Sequence, residues 1–295
     1  MLALLFAVGC GDSTRDAADQ PARTLPTKLR VGVIPNIAPD RQKARYEPFR
    51  AYLARTLGVD VDLFVATDYA GVVSALASDN LDVAYLGGLT YVQAEQQVPL
   101  VPLVTEVDRE TGTREYLSSI VVKSSAPFSS VRDLVQATAS FAFGDVSSTS
   151  GSLYPRAMLV DAGARCSTRD LLSCPPLEKV SFTGGHDATA QAVLGGTATA
   201  GGLELRILRR LEADGSVPTG ALKVLESRSV MGYPWVVRAD AVSEAGREAL
   251  VGAFTAIDDP ALLDLLRAKT YERVSASDYD EVRELATRLG LRQKQ

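Results

Sequence analysis

Short apolar runs alternate with amphipathic stretches along most of this chain. The runs LRVGVIP at 29–35 and VDVDLFVA at 59–66 are rich in branched residues and have the length of buried strands. Between them, RYEPFRAYLARTLG at 45–58 places its large apolar residues at helical spacing and stops at a glycine. The alternation continues with a helix at 69–79, a strand at 81–87, a helix at 89–97 and a strand at 100–107. This order predicts a mainly parallel sheet with helices on both faces.

A second alternation follows an extended segment at 117–123. Its predicted strands lie at 140–144, 179–184, 198–203, 222–227 and 234–240, and its predicted helices at 130–138, 152–162, 187–196 and 205–214. Further helices are predicted at 243–257, 260–268 and 278–289. Two α/β series joined by extended segments near 117–123 and 225–236 predict two lobes with a hinge. We expect residues 28–118 with 228–295 in the first lobe and residues 119–227 in the second, with a ligand cleft between them.

The N-terminal stretch has a character of its own. MLALLFAVGC is an apolar run too short to span a bilayer, and a polar tract follows it. Gly9-Cys10 resembles the end of a bacterial lipoprotein signal peptide, although no basic residue precedes Cys10 and Ala7 stands where leucine is usual. The alternative is an ordinary signal peptide with an incidental cysteine. We expect residues 1–27 to be a lipoprotein signal and disordered tether, with the protein lipid-anchored through Cys10 in the periplasm or at the cell surface.

The other two cysteines are consistent with such a compartment. Cys166 and Cys174 are eight residues apart in CSTRDLLSC, a spacing that allows a small disulfide loop in an oxidising environment. Two unpaired thiols are the alternative. A zinc site is not expected, because the chain has a single histidine and no further cysteine nearby.

Composition and charge narrow the range of partners. With 46% hydrophobic and 23% charged residues, the chain resembles a soluble globular protein. Its net charge of −5 and its lack of any Lys/Arg-rich run argue against nucleic acid or an anionic membrane surface as the partner. An anionic ligand would therefore have to be held by local dipoles and hydrogen bonds. We expect a monomer without cofactor or metal, attached to the membrane by its lipid alone.

The stretch SFAFGDVSSTSGSLYPRAMLV at 140–160 carries the most distinctive chemistry. It passes from a strand to a helix through Ser148-Thr149-Ser150-Gly151. A helix N-terminus has unpaired N–H groups and a partial positive charge, so it binds tetrahedral oxyanions, and neighbouring hydroxyls would add donors. A helix N-cap with two solvated hydroxyls is the alternative. The motif alone leaves both interpretations open.

Three segments together carry a family resemblance: 45–94, 141–159 and 182–196, the last reading FTGGHDATAQAVLGG. In sequence and order they are similar to the phosphate/phosphite/phosphonate-binding family of ABC-transporter substrate-binding proteins, from about Leu29 to about Arg238. The resemblance implies an α/β periplasmic-binding-protein fold of type II, with the ligand clamped between two lobes. It also implies extracytoplasmic, non-catalytic capture of a small phosphorus oxyanion for delivery to a membrane permease.

The resemblance also implies roles for individual residues. Ser148, Thr149 and Ser150 would contact the anion. His186, the only histidine, would meet it either as a donor or as a charge that follows the protonation of the ligand. Tyr69 and Tyr116 would present their phenols to the cleft. In isolation, structural hydrogen bonding is the more common explanation for a lone histidine, and packing is the more common explanation for either tyrosine.

Glu204 and Tyr233 bear on the tail of the ligand. In aminoalkylphosphonate-binding members of the family, carboxylates near these two positions receive the substrate's ammonium group. Here Glu204 keeps a carboxylate, but Tyr233 stands where those members have aspartate. This half-present pair weakens the case for an aminoalkylphosphonate and leaves room for phosphite, a small alkylphosphonate or another ligand with a less charged tail. Tyr233 and Trp235 could instead form an apolar wall, or simply pack.

Two other functions stay open at this point. A hydrolase would need a base beside one of the three hydroxyls, and the chain lacks a G-x-S-x-G elbow, a Walker A loop and a metal-binding cluster. A sensory or structural lipoprotein could keep the binding fold without serving a transporter.

Overall fold

The structure is a computed structural model that describes residues 24–292. Within this range the strands are β1 (Lys28–Val33), β2 (Asp60–Val65), β3 (Val83–Tyr85), β4 (Leu100–Asp108), β5 (Glu115–Lys123), β6 (Phe141–Phe143), β7 (Val180–Phe182), β8 (Ala200–Glu204), β9 (Leu222–Met231), β10 (Trp235–Arg238) and β11 (Ala268–Arg273). The α-helices are α1 (Pro39–Leu57), α2 (Tyr69–Ala77), α3 (Gly88–Ala94), α4 (Val131–Gln136), α5 (Tyr154–Asp161), α6 (His186–Gly195), α7 (Leu205–Ala213), α8 (Glu244–Thr255), α9 (Pro260–Leu265) and α10 (Asp280–Arg288). A π-helical turn spans Thr149–Leu153 and a 3₁₀ turn spans Ala276–Tyr279. Cys10 and the predicted signal lie outside the described residues.

The strands form two mixed sheets. The six-stranded sheet has the order β11-β4-β10-β3-β1-β2, and the five-stranded sheet has the order β7-β6-β8-β5-β9. The parallel pairs that the βαβ alternation predicts are present at β1 with β2 and β3, and at β6 with β7 and β8. The remaining pairs are antiparallel, so the expectation of mainly parallel sheets is wrong. We call the part built on the six-stranded sheet the first lobe and the other part the second lobe.

The chain passes between the two sheets twice, from β4 to β5 and from β9 to β10. The predicted lobe boundaries at 118/119 and 227/228 fall inside β5 and β9. Because these two strands pair with each other along their length, we place the change of lobe in the connections at 109–114 and 232–234.

One strand has no counterpart in the sequence prediction. β11 follows α9 through Arg267, whose positive φ of 61° ends the helix and turns the chain. The strand pairs only with β4 and lies at the edge of its sheet. Its sequence, AKTYER, has no apolar run, because only one face of an edge strand of this kind is buried.

One large apolar core fills the first lobe and reaches across the junction to Leu153 and Tyr154 of the second lobe. In the first lobe, Trp235 is fully buried and packs against Phe49 with ring centroids 5.1 Å apart, so packing accounts for this tryptophan. In the second lobe, apolar clusters around Phe143 and Leu203 form two smaller cores. Cys166 and Cys174, the predicted pair, are joined by a disulfide in the loop after α5. No helix among residues 24–292 combines the length and the apolar character needed to cross a membrane.

Candidate ligand-binding site

The two lobes meet at the N-termini of α2 and α3, which face the π-helical turn of the second lobe. Three hydrogen bonds cross between the lobes here: Tyr69 N to Asp145 Oδ2 (3.3 Å), Leu89 N to Thr149 Oγ1 (2.9 Å) and Thr90 Oγ1 to Ser147 O (3.0 Å). The Ser-Thr-Ser-Gly motif is therefore buried at the junction of the lobes.

Ser148 caps the helical segment that begins at the motif. Its Oγ accepts a hydrogen bond from Gly151 N at 3.0 Å, and its carbonyl accepts one from Leu153 N at 3.1 Å, five residues further on. The wide π-helical spacing extends the helix start over the hydroxyl residues, upstream of the predicted start at 152. The cap interpretation is thus correct for Ser148, whose hydroxyl still has a proton to donate.

Ser150 and Tyr116 have buried hydroxyls that make no hydrogen bond of standard geometry within residues 24–292. The two side chains are neighbours. Burial and the charge of Glu204 raise the pKa of the Tyr116 phenol, and the Ser150 hydroxyl opposes this rise. Because a buried polar group without a partner is costly, both hydroxyls are candidates to donate to a bound anion.

His186 lies beside the motif at the start of α6. A Cβ atom placed on Gly151 would lie 3.1 Å from His186 Cε1. The ring is 1% exposed, and burial lowers its pKa to about 4. Nδ1 accepts a hydrogen bond from Glu204 N at 3.3 Å, so the neutral ring carries its proton on Nε2. Nε2 makes no hydrogen bond within the described range and lies 4.0 Å from Glu204 Oε2.

Tyr69 and Tyr233 are also buried at this junction. Burial, followed by the charge of Asp145, raises the pKa of Tyr69, and the adjacent Ser148 hydroxyl opposes the rise. Tyr233 packs against Tyr116 with ring centroids 5.1 Å apart. Burial likewise raises the pKa of Tyr233, so all these phenols are protonated donors at neutral pH.

Glu204 is fully engaged by protein groups. Its Oε1 accepts hydrogen bonds from Arg206 Nε at 2.7 Å and Arg267 Nη1 at 2.9 Å, and its Oε2 accepts one from Tyr233 OH at 2.7 Å. Burial disfavours the ionised carboxylate, but the two arginines outweigh burial and lower the pKa of Glu204 to about 2. The carboxylate is therefore ionised and already neutralised.

Several residues of this region carry no signal in the sequence. Arg206 also donates to Glu106 Oε1 at 3.2 Å and to Asp108 Oδ2 at 3.0 Å, which ties α7 to β4 across the lobes. Asn36 accepts a hydrogen bond from His186 N at its carbonyl oxygen, at 3.1 Å. Arg267 is unusual only in its positive φ, which the sequence does not reveal.

The structure brings together the residues singled out from the sequence. All are buried at the lobe junction: Tyr69, Tyr116, Ser148, Thr149, Ser150, His186, Glu204 and Tyr233. In the range 24–292, no group of three histidine, cysteine, aspartate or glutamate side chains has an arrangement that could hold a metal ion. The arrangement offers hydrogen-bond donors on one side and a neutralised carboxylate on the other.

Comparison with known proteins gives this geometry a context. A family model described as "ABC transporter, phosphonate, periplasmic substrate-binding protein" matches residues 31–279. The chain is 26% identical over 282 residues to a probable ABC transporter phosphite binding protein, PhnD1, of Prochlorococcus marinus strain MIT 9301, covering 91% of this chain and 92% of that protein. It is 29% identical over 228 residues to the phosphate-import protein PhnD of Mycolicibacterium smegmatis, covering 75% and 68%.

Solved structures agree in fold. The structure of Prochlorococcus marinus PhnD1 in complex with methylphosphonate matches with a TM-score of 0.78 and 26% identity, over 90% of this chain and 98% of that one. A binding protein component of an ABC phosphonate transporter from Pseudomonas aeruginosa has the same fold, with a TM-score of 0.78 and 21% identity, over 89% and 86%. The predicted two-lobed α/β fold is confirmed. The chain belongs to the family of periplasmic phosphonate-binding proteins that supply substrates to ABC transporters.

Proposed function

We propose that this protein captures a phosphorus oxyanion with a compact, uncharged tail, such as methylphosphonate, phosphite or phosphate, and presents it to an ABC permease. The observation that carries the proposal is a group of three buried donors that make no hydrogen bond of standard geometry within residues 24–292: Ser150 Oγ, Tyr116 OH and His186 Nε2. Similar proteins support a compact ligand, since two are named for phosphite and phosphate and one was solved with methylphosphonate.

The proposed contacts use neutral donors. The ligand's oxygens would accept from the hydroxyls of Ser148, Thr149 and Ser150, and from the N–H groups at the start of the helical segment 149–161. Tyr69 and Tyr116 would donate from the two sides of the cleft. His186 would act as a neutral donor through Nε2, which favours the first of its two predicted roles. Closure of the lobes would exclude water and strengthen each of these bonds.

The tail side of the site argues against an ammonium group. An aminoalkylphosphonate would need the Glu204 carboxylate, which already accepts hydrogen bonds from Arg206, Arg267 and Tyr233. Displacing Arg267 would leave a buried guanidinium without its carboxylate partner, which is strongly unfavourable. A ligand with a hydrogen, methyl or hydroxyl substituent avoids this conflict.

The hydrogen bonding of His186 supports ligand capture without catalysis. A serine nucleophile needs a base with a free lone pair facing it. Nδ1 of His186 already accepts from Glu204 N, and Nε2 carries the proton, so this ring cannot take a proton from Ser150. We therefore propose no hydrolase activity. A purely sensory or structural role would be supported only if the protein binds its ligand but no permease depends on it.

The location follows the family, whose members work outside the cytoplasm. We further propose that the protein is a monomer anchored by a lipid on Cys10. Replacement by serine, Cys10→Ser, should release the protein from the membrane fraction and abolish the lipid mass on the N-terminal peptide. Membrane retention of this variant would contradict the anchor and leave the binding proposal untouched.

Titration calorimetry at pH 7 tests the binding proposal. Ser150→Ala should weaken methylphosphonate, phosphite and phosphate by roughly tenfold or more, because a hydrogen bond to a charged group contributes about 1.5–3 kcal/mol. The matched control is Ser119→Ala, whose hydroxyl bonds Ser227 on the neighbouring strand at 2.7 Å. Unchanged affinities for Ser150→Ala would show that the site is wrong, and turnover of a phosphonate would contradict the non-catalytic role.

The same titrations compare the affinities of ligands that carry different substituents on phosphorus. We expect 2-aminoethylphosphonate to bind at least about tenfold more weakly than methylphosphonate, since its ammonium finds no free carboxylate. Tighter binding of the amino compound would mean that Glu204 leaves its arginines when the ligand enters.

A further inference from the structure

A small cavity lies between the lobes, beside the candidate ligand-binding site. Its polar lining comes from Asn36, Gln42, Arg45, Tyr46, Arg210 and Arg267, and the rest of its lining is isoleucine and leucine. The cavity has a volume of about 10 Å³ for the centre of a water molecule. This is enough for one water molecule or one ion of similar size. No carboxylate lines this cavity.

Two buried donors in its lining are unpaired. Arg45 Nε and Asn36 Nδ2 are fully buried and make no hydrogen bond to any part of the chain from 24 to 292. Asn36 is only 2% exposed. Since orphaned buried N–H groups are rare in folded proteins, two in the wall of one cavity indicate a bound acceptor.

Three guanidinium groups meet at the same place from different elements. Arg45 lies on α1, Arg210 on α7 and Arg267 just before β11. Arg267 is paired with Glu204, whereas neither Arg45 nor Arg210 has a carboxylate partner within 4.0 Å among the described residues. Burial and the charge of Arg267 lower the pKa of Arg45, and burial, Arg267 and Arg45 lower that of Arg210 to about 9. Asp264 and Asp214 act on Arg45, and Glu204 acts on Arg210, in the opposite direction without cancelling these shifts. Both arginines are still charged at pH 7, so the cavity has excess positive charge.

We propose that this cavity binds one monatomic anion, a halide such as chloride. The volume of this cavity fits one atom-sized ion. The lining supplies N–H donors and positive charge, which favours an anion over a neutral water molecule. Arg45 and Asn36 belong to the first lobe and Arg210 to the second, so the ion bridges the lobes. This site is separate from the phosphorus-oxyanion site and does not depend on its assignment.

Thermal unfolding at pH 7 and constant ionic strength provides the test, with sodium gluconate replaced stepwise by sodium chloride or bromide. Saturating methylphosphonate is present throughout, so that the proposed oxyanion site is occupied. The wild-type Tm should rise by a few degrees and saturate with halide concentration, because an ion that binds only the folded state stabilises it. The double variant Arg45→Gln/Arg210→Gln should lose this rise.

A double variant on the same helices provides the matched control. Arg55→Gln/Arg209→Gln removes the same charge from α1 and α7 outside this cavity and should keep the halide response. In gluconate alone, circular dichroism should show Arg45→Gln/Arg210→Gln to be folded and at least as stable as the wild type, because the repulsion between its arginines is gone. An equal halide response in both double variants would overturn the proposal.

Bromide allows the bound ion to be located directly by crystallography. Crystals grown in sodium bromide should show an anomalous peak between Arg45 and Arg210. A peak found only beside Ser150, or no peak in this cavity at a bromide concentration that saturates the Tm response, would overturn the proposal.

Discussion

The three neighbouring hydroxyls of the motif have three different roles. Ser148 caps the helical segment, Thr149 accepts a hydrogen bond from the other lobe, and Ser150 makes no hydrogen bond of standard geometry within residues 24–292. The question of a helix cap or an anion site therefore has a different answer at each position. Ser148 and Thr149 hold the turn in place through their oxygens and keep a hydroxyl proton for a ligand, whereas the Ser150 hydroxyl is left entirely for the ligand.

Stability measurements separate these contacts. Ser148→Ala should lower the free energy of unfolding by about 1 kcal/mol, since it removes an N-cap. Ser150→Ala should lie within about 0.5 kcal/mol of the wild type or above it, because the buried hydroxyl that it removes makes no hydrogen bond of standard geometry within residues 24–292. Urea titrations without ligand measure both. Equal losses for the two variants would contradict this division of roles.

The pKa of His186 predicts a pH dependence of folding. The pKa is about 4 in the folded protein and about 6.5 when unfolded, so the unfolded state binds the proton first as pH falls. This contribution to stability is complete above pH 6.5 and is lost on the way down to pH 4. His186→Gln removes the titration and should flatten the profile.

Urea titrations between pH 6.5 and 4.5 measure the effect. Relative to His186→Gln, the wild type should lose about 2 kcal/mol across this window. The low pKa of Glu204 affects the free energy of unfolding mainly below pH 4.5, and this effect is common to both proteins. Parallel profiles would mean that the histidine is charged in the fold.

At residue level, the sequence could indicate the donors but not their surroundings. The hydroxyl motif and the single histidine are local signals that family resemblance turns into a site. Arg206 and Arg267 are ordinary surface-type residues in sequence, and they reach Glu204 only because β8, α7 and β11 meet at the lobe junction. The neutralisation of Glu204 is a tertiary property, so it could not be predicted.

Among the elements, most helices and strands follow the predicted alternation within a few residues, because their apolar runs are buried. β11 was missed because an edge strand with mostly polar residues has no period to detect. The π-helical turn was missed for another reason. Its wider spacing depends on how it docks against β8, and local propensity says nothing about that.

The docking of the π-helical turn on β8 depends on one glycine. A Cβ atom on Gly202 would lie 2.6 Å from Pro155 Cβ and 3.2 Å from Gly151 O. Gly202→Ala should therefore push the turn away, lower the free energy of unfolding by about 1–3 kcal/mol and weaken phosphorus-oxyanion binding. Denaturation and calorimetry measure the two effects.

Gly195→Ala is the matched control for this substitution. Gly195 lies at the end of α6, and a Cβ atom there would have no neighbour within 4 Å. Alanine should leave binding unchanged and stability equal or higher by up to about 1 kcal/mol. If Gly202→Ala behaves in the same way, the turn tolerates displacement and its close docking is unimportant.

On the scale of the whole molecule, direct hydrogen bonds hold the lobes together. Thr149→Val removes the acceptor for Leu89 N, which costs about 1–3 kcal/mol when the lobes are closed and little when water can reach the amide. The ligand-free variant should therefore be more open, with a larger radius of gyration in small-angle X-ray scattering and weaker ligand binding.

The control for lobe opening is Thr199→Val, whose hydroxyl contacts Ser140 at 3.1 Å within the second lobe. It should leave the radius of gyration unchanged. The prediction fails if ligand-free Thr149→Val has the dimensions of the wild type.

The strand order also determines the sequence in which the two lobes can be completed during synthesis. All strands of the second lobe lie within one continuous segment, 115–231. In the first lobe, β10 lies between β3 and β4, yet it is synthesised after that whole segment. Until β10 and β11 exist, β3 and β4 have unpaired edges, and such edges are sites of aggregation. The lobe that the ribosome begins first is therefore the one completed last.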